Sequence, residues 1–208
     1  MIQLNIEDKG KTFNIVNSYN ELTLGQYIDI MKVSEKKLIS NIEADIEIIS
    51  VLCDDITKSN ELKELLNDFD ITDFEELKKA FEWVVTDIKT MEEFKSITPN
   101  NSIFIDGEEY SLYSNYSKKM TLGEVISFET IMAQEQSDLS RYDIAFGVLL
   151  RPIKDGKPVE FTEEVFNDVI SKKYKVKMID IYAALSFFLS GEKISITKNT
   201  KRFSIQTK

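Results

Sequence analysis

The chain contains one unit written twice, and this limits its fold more than any other feature. Leu22-Thr23-Leu24-Gly25 and Met120-Thr121-Leu122-Gly123 are nearly identical and lie 98 residues apart. Carried forward at that offset, Ile28 meets Ile126, Asp45-Ile46 meets Asp143-Ile144, and Val51-Leu52 meets Leu149-Leu150. Carried backward with one residue gapped, Gly10 meets Gly107, Phe13 meets Tyr110 and Tyr19 meets Tyr116. After Leu150 the second copy carries six extra residues within 151–158. The offset then becomes 104, aligning Leu62 with Phe166, Leu66 with Ile170, Phe74 with Met178 and Ala80 with Ala184. One gap and one insertion keep apolar positions in register over four elements, which chance does not readily achieve.

Each copy opens as a β-hairpin. Ile2, Leu4 and Ile6 alternate with polar residues, Glu7 to Gly10 supply turn chemistry, and Phe13, Ile15 and Val16 return. In the second copy Ile103-Phe104-Ile105, the turn pair Asp106-Gly107 and Tyr110 to Tyr113 repeat the pattern. Helices follow. Thr23 with Gln26, and Thr121 with Glu124, read as capping boxes, in which side chains satisfy the N–H groups that a first helical turn leaves unpaired. Gly25 and Gly123 lie inside those first turns and weaken the helix. Close packing of the turn on the hairpin, or a ligand at the backbone, would account for them. A second, strongly apolar helix is expected over residues 42–53 and 142–150, and a third over 60–67 and 163–171. A fourth is expected from Thr72, with Glu75 completing a capping box, through Val84, and its counterpart over 177–190, stopped by Gly191.

The expected fold class is therefore α+β and mostly helical, a tandem repeat of a hairpin followed by three to four helices. The first repeat covers residues 1–88, a polar linker 89–101, the second repeat 102–191, and a basic tail 192–208 with Lys193, Lys198, Lys201, Arg202 and Lys208.

Composition narrows the chemistry. The 208 residues include no histidine, which removes Ser-His-Asp and Cys-His catalysis, the common zinc sites and the usual pH switch together. The single cysteine, Cys53, has no activating base and reads as a small core residue of a reducing compartment. No apolar run reaches the length of a membrane span, and the residues after Met1 do not read as a secretory signal. The net charge of -10 sits in the first half, where residues 1–100 hold 21 acidic and 11 basic side chains, while 101–208 hold 15 of each. Such a half repels nucleic acid and anionic membrane. It reads as solvated helix faces or as a surface for a basic protein.

Asp54-Asp55, Glu163-Glu164 and Glu108-Glu109 are explained by helix ends and turns rather than by a shared pocket. The segment Lys154-Asp155-Gly156-Lys157 lacks the glycine framework of a P-loop. No catalytic, cofactor-binding or metal-binding residue is expected. The aromatics Trp83, Tyr142, Tyr182, Phe187 and Phe188 fall at helical spacing, where a core role is the simplest reading. However, residues 183–189, Ala-Ala-Leu-Ser-Phe-Phe-Leu, are apolar nearly all round. Either both repeats bury this helix or one side of it meets a partner. The candidate partner-binding residues are Tyr182, Leu185, Phe187 and Phe188, with Trp83 and the Arg151 that opens the inserted loop.

Leu22 to Tyr27, Ile46 to Cys53 and Thr72 to Leu77 together resemble the pattern of tailed-phage tail assembly chaperones. The second half, with Val148-Leu149-Leu150-Arg151-Pro152-Ile153 and Ala183 to Phe188, is also similar to an uncharacterised small protein common in phages with AT-rich genomes. The doubled copy and the basic tail depart from the simplest family pattern. The resemblance implies a non-enzymatic protein that coats apolar segments of a tape-measure or baseplate protein in the host cytoplasm, with no cofactor. The alternative is a structural virion component such as a neck, ring or baseplate protein. Either role implies a protein partner rather than nucleic acid or membrane, and leaves a homo-oligomer open.

Overall fold

The computed structural model describes residues 1–36, 40–85, 102–112, 126 and 138–189. Among these the chain is α+β, with seven helices and two small antiparallel sheets. Strands β1 (Ile2–Ile6) and β2 (Lys11–Ile15) form the first hairpin, with Leu4 opposite Phe13. Gly10 closes its turn at φ 61°, a left-handed conformation that glycine adopts without steric cost. Helix α1 (Leu24–Glu35) starts on the expected capping box: the Gln26 amide donates to Thr23 Oγ1, and the Gln26 side chain accepts from the Thr23 amide. Helices α2 (Asn41–Val51), α3 (Ser59–Leu66) and α4 (Ile71–Lys79) follow.

Three boundaries in the first half differ from the sequence reading. Helix α2 ends at Val51, and Cys53 bridges to Ile15, because the Val16 amide donates to Leu52 O and the Asp54 amide to Asn14 O. Helix α4 is capped by Asp70, not Thr72: the Asp70 carboxylate accepts from the amides of Thr72 and Asp73. An ionised aspartate is the stronger acceptor at a helix start, where the macrodipole also favours negative charge. The helix stops at Lys79, and Phe81 and Val84 are buried in a turn and a 3₁₀ segment (Glu82–Val85) beyond it.

The second half has strands β3 (Ser102–Ile105) and β4 (Glu108–Leu112), helix α5 (Asp138–Leu149), strands β5 (Leu150–Lys154) and β6 (Lys157–Pro158), and helices α6 (Glu163–Ser171) and α7 (Met178–Leu189). The sheet order is β3-β4-β5-β6. The inserted stretch that reads as a loop is thus a second hairpin. Asp155 and Gly156 turn it with φ of 53° and 71°, matching Asp106 and Gly107 at 53° and 82°. Two consecutive positive φ angles are the type I′ turn that joins two-residue hairpins. The chain leaving α5 pairs with β4 (Leu112 opposite Leu150), much as the chain leaving α2 meets β2. The capping box expected of Thr121 and Glu124, the first-turn Gly123, the linker 89–101 and the basic tail 192–208 lie outside the described residues.

One hydrophobic core runs through both halves, from Phe13, Leu22, Leu24, Ile28 and Leu52 to Tyr110, Phe146, Leu149, Met178 and Leu185. Gly147 lets α5 approach α6 closely, since a Cβ there would lie 2.6 Å from the Phe166 ring.

Candidate functional site

The halves meet at the starts of α1 and α7. The Leu24 amide donates to Val176 O at 2.8 Å, and the Met178 amide donates to Leu22 O at 2.7 Å. Each bond satisfies the first free N–H of one helix with a carbonyl preceding the other, setting Thr23 opposite Lys177 in an antiparallel bridge. Gly25 has a physical account here. Its missing side chain is replaced by the ring of Tyr174, whose Cδ1 would stand 2.3 Å from a Cβ. The close packing expected of this glycine is therefore made with the second half, not with the first hairpin. The Tyr174 hydroxyl donates to Asp29 Oδ2 at 2.6 Å, a carboxylate one turn along α1.

Behind this clasp lies an aromatic seam. Tyr27 of α1 and Tyr142 of α5 meet edge to face at 5.6 Å, a favoured geometry for aromatic pairs. Burial, reinforced by Tyr142, Tyr182 and Tyr19, pushes the Tyr27 phenol well above its ordinary pKa. Burial and then Asp29 do the same to Tyr174. These hydroxyls stay protonated and act as donors.

The expected partner-binding residues fall into distinct surroundings. Tyr182 and Leu185 are buried at 8% and 0% exposure. Arg151 is buried at 1%, and its Nη1 donates to the carbonyls of Gly147, Val148 and Leu150. Its guanidinium also stacks 4.4 Å over Phe161. Such a group caps the C-terminus of α5, where free carbonyls and the negative end of the macrodipole favour a cation. Trp83 is half-buried and packs edge-on against Tyr19 at 4.9 Å, while the Tyr19 hydroxyl donates to Val84 O. The backbone of Phe187 and Phe188 belongs to α7, but their side chains lie outside the described residues.

A polar cluster absent from the sequence reading joins the end of α6 to the β3–β4 hairpin. Lys172 Nζ donates to Asp168 and to the Tyr110 hydroxyl, with Glu108 at 3.9 Å. Burial lowers the Lys172 pKa, but Asp168 and Tyr110 outweigh it and the net shift is upward. Burial raises that of Tyr110, against the opposing influence of Lys172. A lysine nucleophile or a tyrosine base needs shifts in the opposite directions. Burial likewise pushes the Cys53 thiol up, away from thiolate chemistry.

Among the described residues no group of three or more Cys, Asp or Glu side chains is arranged to hold a metal ion. No described helix is long and apolar enough to cross a membrane. Comparison with protein-family models, with curated proteins and with solved structures finds no match to this chain. Tyr174, Asp29 and Lys172 are not legible in the sequence as site residues, since Tyr174 meets Asp29 across 145 residues and Lys172 meets Tyr110 across 62. Gly25 is the one local signal of the junction.

Proposed function

We propose that this chain is a non-enzymatic assembly factor of the tailed-phage tail assembly chaperone kind, which binds apolar segments of a tape-measure or baseplate protein in the host cytoplasm. The observation that carries this reading is the character of α7. Met178, Ile181, Tyr182, Ala184 and Leu185 are buried, Ile179 and Ala183 are half-buried, and Asp180 is the one exposed side chain over residues 178–185. A helix apolar on nearly every side is a buried one, and here it packs in the protein's own core, so an amphipathic partner helix would engage it in the helix-in-groove manner only by replacing a neighbouring element. The ionisable clusters support the same reading, since their shifts favour stable ion pairs and donors over reactive groups. The test is co-expression with the proteins encoded beside it, followed by affinity capture. Recovery of a tape-measure or baseplate protein is expected, and recovery of no tail protein refutes the proposal.

The single core spanning both halves favours a second reading, a structural virion component, because a permanent part of a particle benefits from a rigid body. Mass spectrometry of purified particles separates the two. A chaperone is absent from them, and a structural component is present at fixed copy number.

A further inference from the structure

We propose that the free edge of β3 is an association surface for a second copy of this chain, paired antiparallel about Phe104. The inference is independent of the chaperone reading, since it concerns how copies of the chain meet each other. The sheet β3-β4-β5-β6 has two outer edges, and they are built differently. The turns at Asp106-Gly107 and Asp155-Gly156 are the same two-residue kind, so Ile105 with Glu108, and Lys154 with Lys157, are the hydrogen-bonded pairs that close them. Bonding alternates along an antiparallel pair. The next residue out on each edge strand, Phe104 on β3 and Pro158 on β6, therefore turns its backbone away from the neighbouring strand. On β6 that residue has no N–H to offer, and Lys157 precedes it. Proline and lysine are the usual protections of a sheet edge. On β3 the same position offers both an N–H and a C=O, and Ser102 to Ile105 include neither a charge nor a proline. Among the described residues no strand pairs with that side of β3.

Phe104 itself adds a second observation. Ile103 and Ile105 are buried, while Phe104 lies on the other face of the strand and is 71% exposed. The first hairpin shows that the scaffold needs no aromatic there. Leu4 opposite Phe13 corresponds to Ile103 opposite Tyr110, and the residue after Leu4 is Asn5, whose side chain accepts from the Thr12 hydroxyl across the hairpin. The second hairpin holds an exposed ring where the first holds a satisfied polar group. Charge selects the occupant. The net charge of -10 lies in residues 1–100, while 101–208 hold 15 acidic and 15 basic side chains. Pairing through β3 joins the neutral halves, whereas pairing through β1 would set one acidic half against another. The edge is also self-complementary. A two-fold axis at Phe104 lets the two Phe104 residues exchange both backbone bonds and sets their rings side by side. It places Ser102 against Asp106 of the second copy, so no like charges meet at the seam. A seam of one strand pair falls below the about 1,200 Å² of a standard interface, so the association is reversible and depends on concentration.

The test is sedimentation velocity of the full chain from about 10 μM to about 1 mM, the range of a weak reversible dimer. The mass should rise with concentration from 24.0 kDa toward twice that value. Phe104→Lys puts a charge on the edge, and Phe104→Pro removes its outward N–H as Pro158 does on β6. Each should weaken association about tenfold or more. The side chain is exposed, so Phe104→Lys should leave the urea unfolding midpoint unchanged. Cross-linking reads the register. With Cys53→Ala, Phe104→Cys should give a disulfide-linked dimer in oxidised glutathione, because the Cα atoms of a hydrogen-bonded pair lie about 5.5 Å apart. Ser102→Cys should not link, since the two copies of residue 102 are four positions out of register, about 13 Å along the strand. A chain that stays monomeric throughout overturns the proposal, as does a dimer that Phe104→Lys leaves intact, or linking at residue 102 as fast as at 104. A monomeric chain whose capture of a co-expressed tail protein is abolished by Phe104→Lys also overturns it, and assigns the edge to that protein. Dimerisation through Phe104 with no capture of a tail protein retains the edge and removes the chaperone reading.

Discussion

Replacing Arg151 by alanine separates a structural role from a partner-binding one. Its Nη1 makes contacts of 2.7 Å and 2.8 Å to Val148 O and Leu150 O, and a longer one of 3.2 Å to Gly147 O. Hydrogen bonds to a charged group contribute about 1.5–3 kcal/mol each, and a desolvated cation–π stack about 2 kcal/mol. Holding a guanidinium out of water costs several kcal/mol and offsets most of this. The intact residue therefore contributes little net stability, yet its removal is expensive. Two buried carbonyls then lose their donor at about 1–3 kcal/mol each, and the emptied volume adds a cavity term. The expected loss is about 3–5 kcal/mol, a large share of a typical total of about 5–15 kcal/mol. With a urea m-value of about 2.5 kcal/mol/M, the unfolding midpoint should fall by about 1.5 M. Arg151→Lys keeps the charge but not the planar fork or the stack, so it should fall between alanine and the native residue. The assay is urea unfolding followed by circular dichroism. A midpoint shift below about 0.4 M for Arg151→Ala, with m unchanged, would show that the guanidinium does not hold the end of α5. A loss of partner capture without loss of stability would assign it to a surface instead.

Gln26 is 3% exposed, and its Nε2 donates to the carbonyls of Val51 and Cys53 while its Oε1 accepts from Thr23. Gln26→Glu places a carboxylate against those two carbonyls and should cost about 3 kcal/mol or more in urea unfolding, whereas a change under about 1 kcal/mol would contradict the bonding described. Gly147→Ala gains helix propensity but drives a Cβ to 2.6 Å from Phe166, so a net loss of about 1–3 kcal/mol is expected in thermal unfolding. Lys36 and Lys63 hold the Glu47 carboxyl below its ordinary value of 4.5. A depressed folded pKa gives stability that is present above that value and lost as pH falls through the folded pKa. Glu47→Gln should therefore flatten the acid limb of the stability–pH curve below about pH 4.5, and an unchanged limb would remove the group from the account. The buried Cys53 thiol should react with a disulfide reagent at least a hundredfold more slowly in native buffer than in urea.

The turns and most caps follow from local chemistry. Asp106-Gly107, Gly10 and the Thr23–Gln26 box are read correctly because each involves residues at most four apart, whose conformations depend on their own sterics and donors. The α4 start is misplaced because Asp70 and Thr72 are both capping types two residues apart, and the stronger anionic acceptor prevails. The second hairpin is missed for another reason. Arg151 and Pro152 do not look like a strand, since proline lacks a ladder donor, but β5 gains its stability from pairing with β4 forty residues earlier. Arg151 and Lys172 look like surface charges because the groups that neutralise them, helix-end carbonyls and a hairpin tyrosine, are set by packing.

By itself the sequence determines the helices, the two leading hairpins and the absence of histidine-based chemistry, because propensity, periodicity and composition are local or global sums, but it does not determine the β5–β6 hairpin. The tertiary structure alone decides what the first-turn glycine of α1 serves. Its Cα is covered by a tyrosine 149 residues later, in a clasp that puts two halves around one core. Nothing local specifies that contact, since it depends on two helix starts satisfying each other's free N–H groups across the junction.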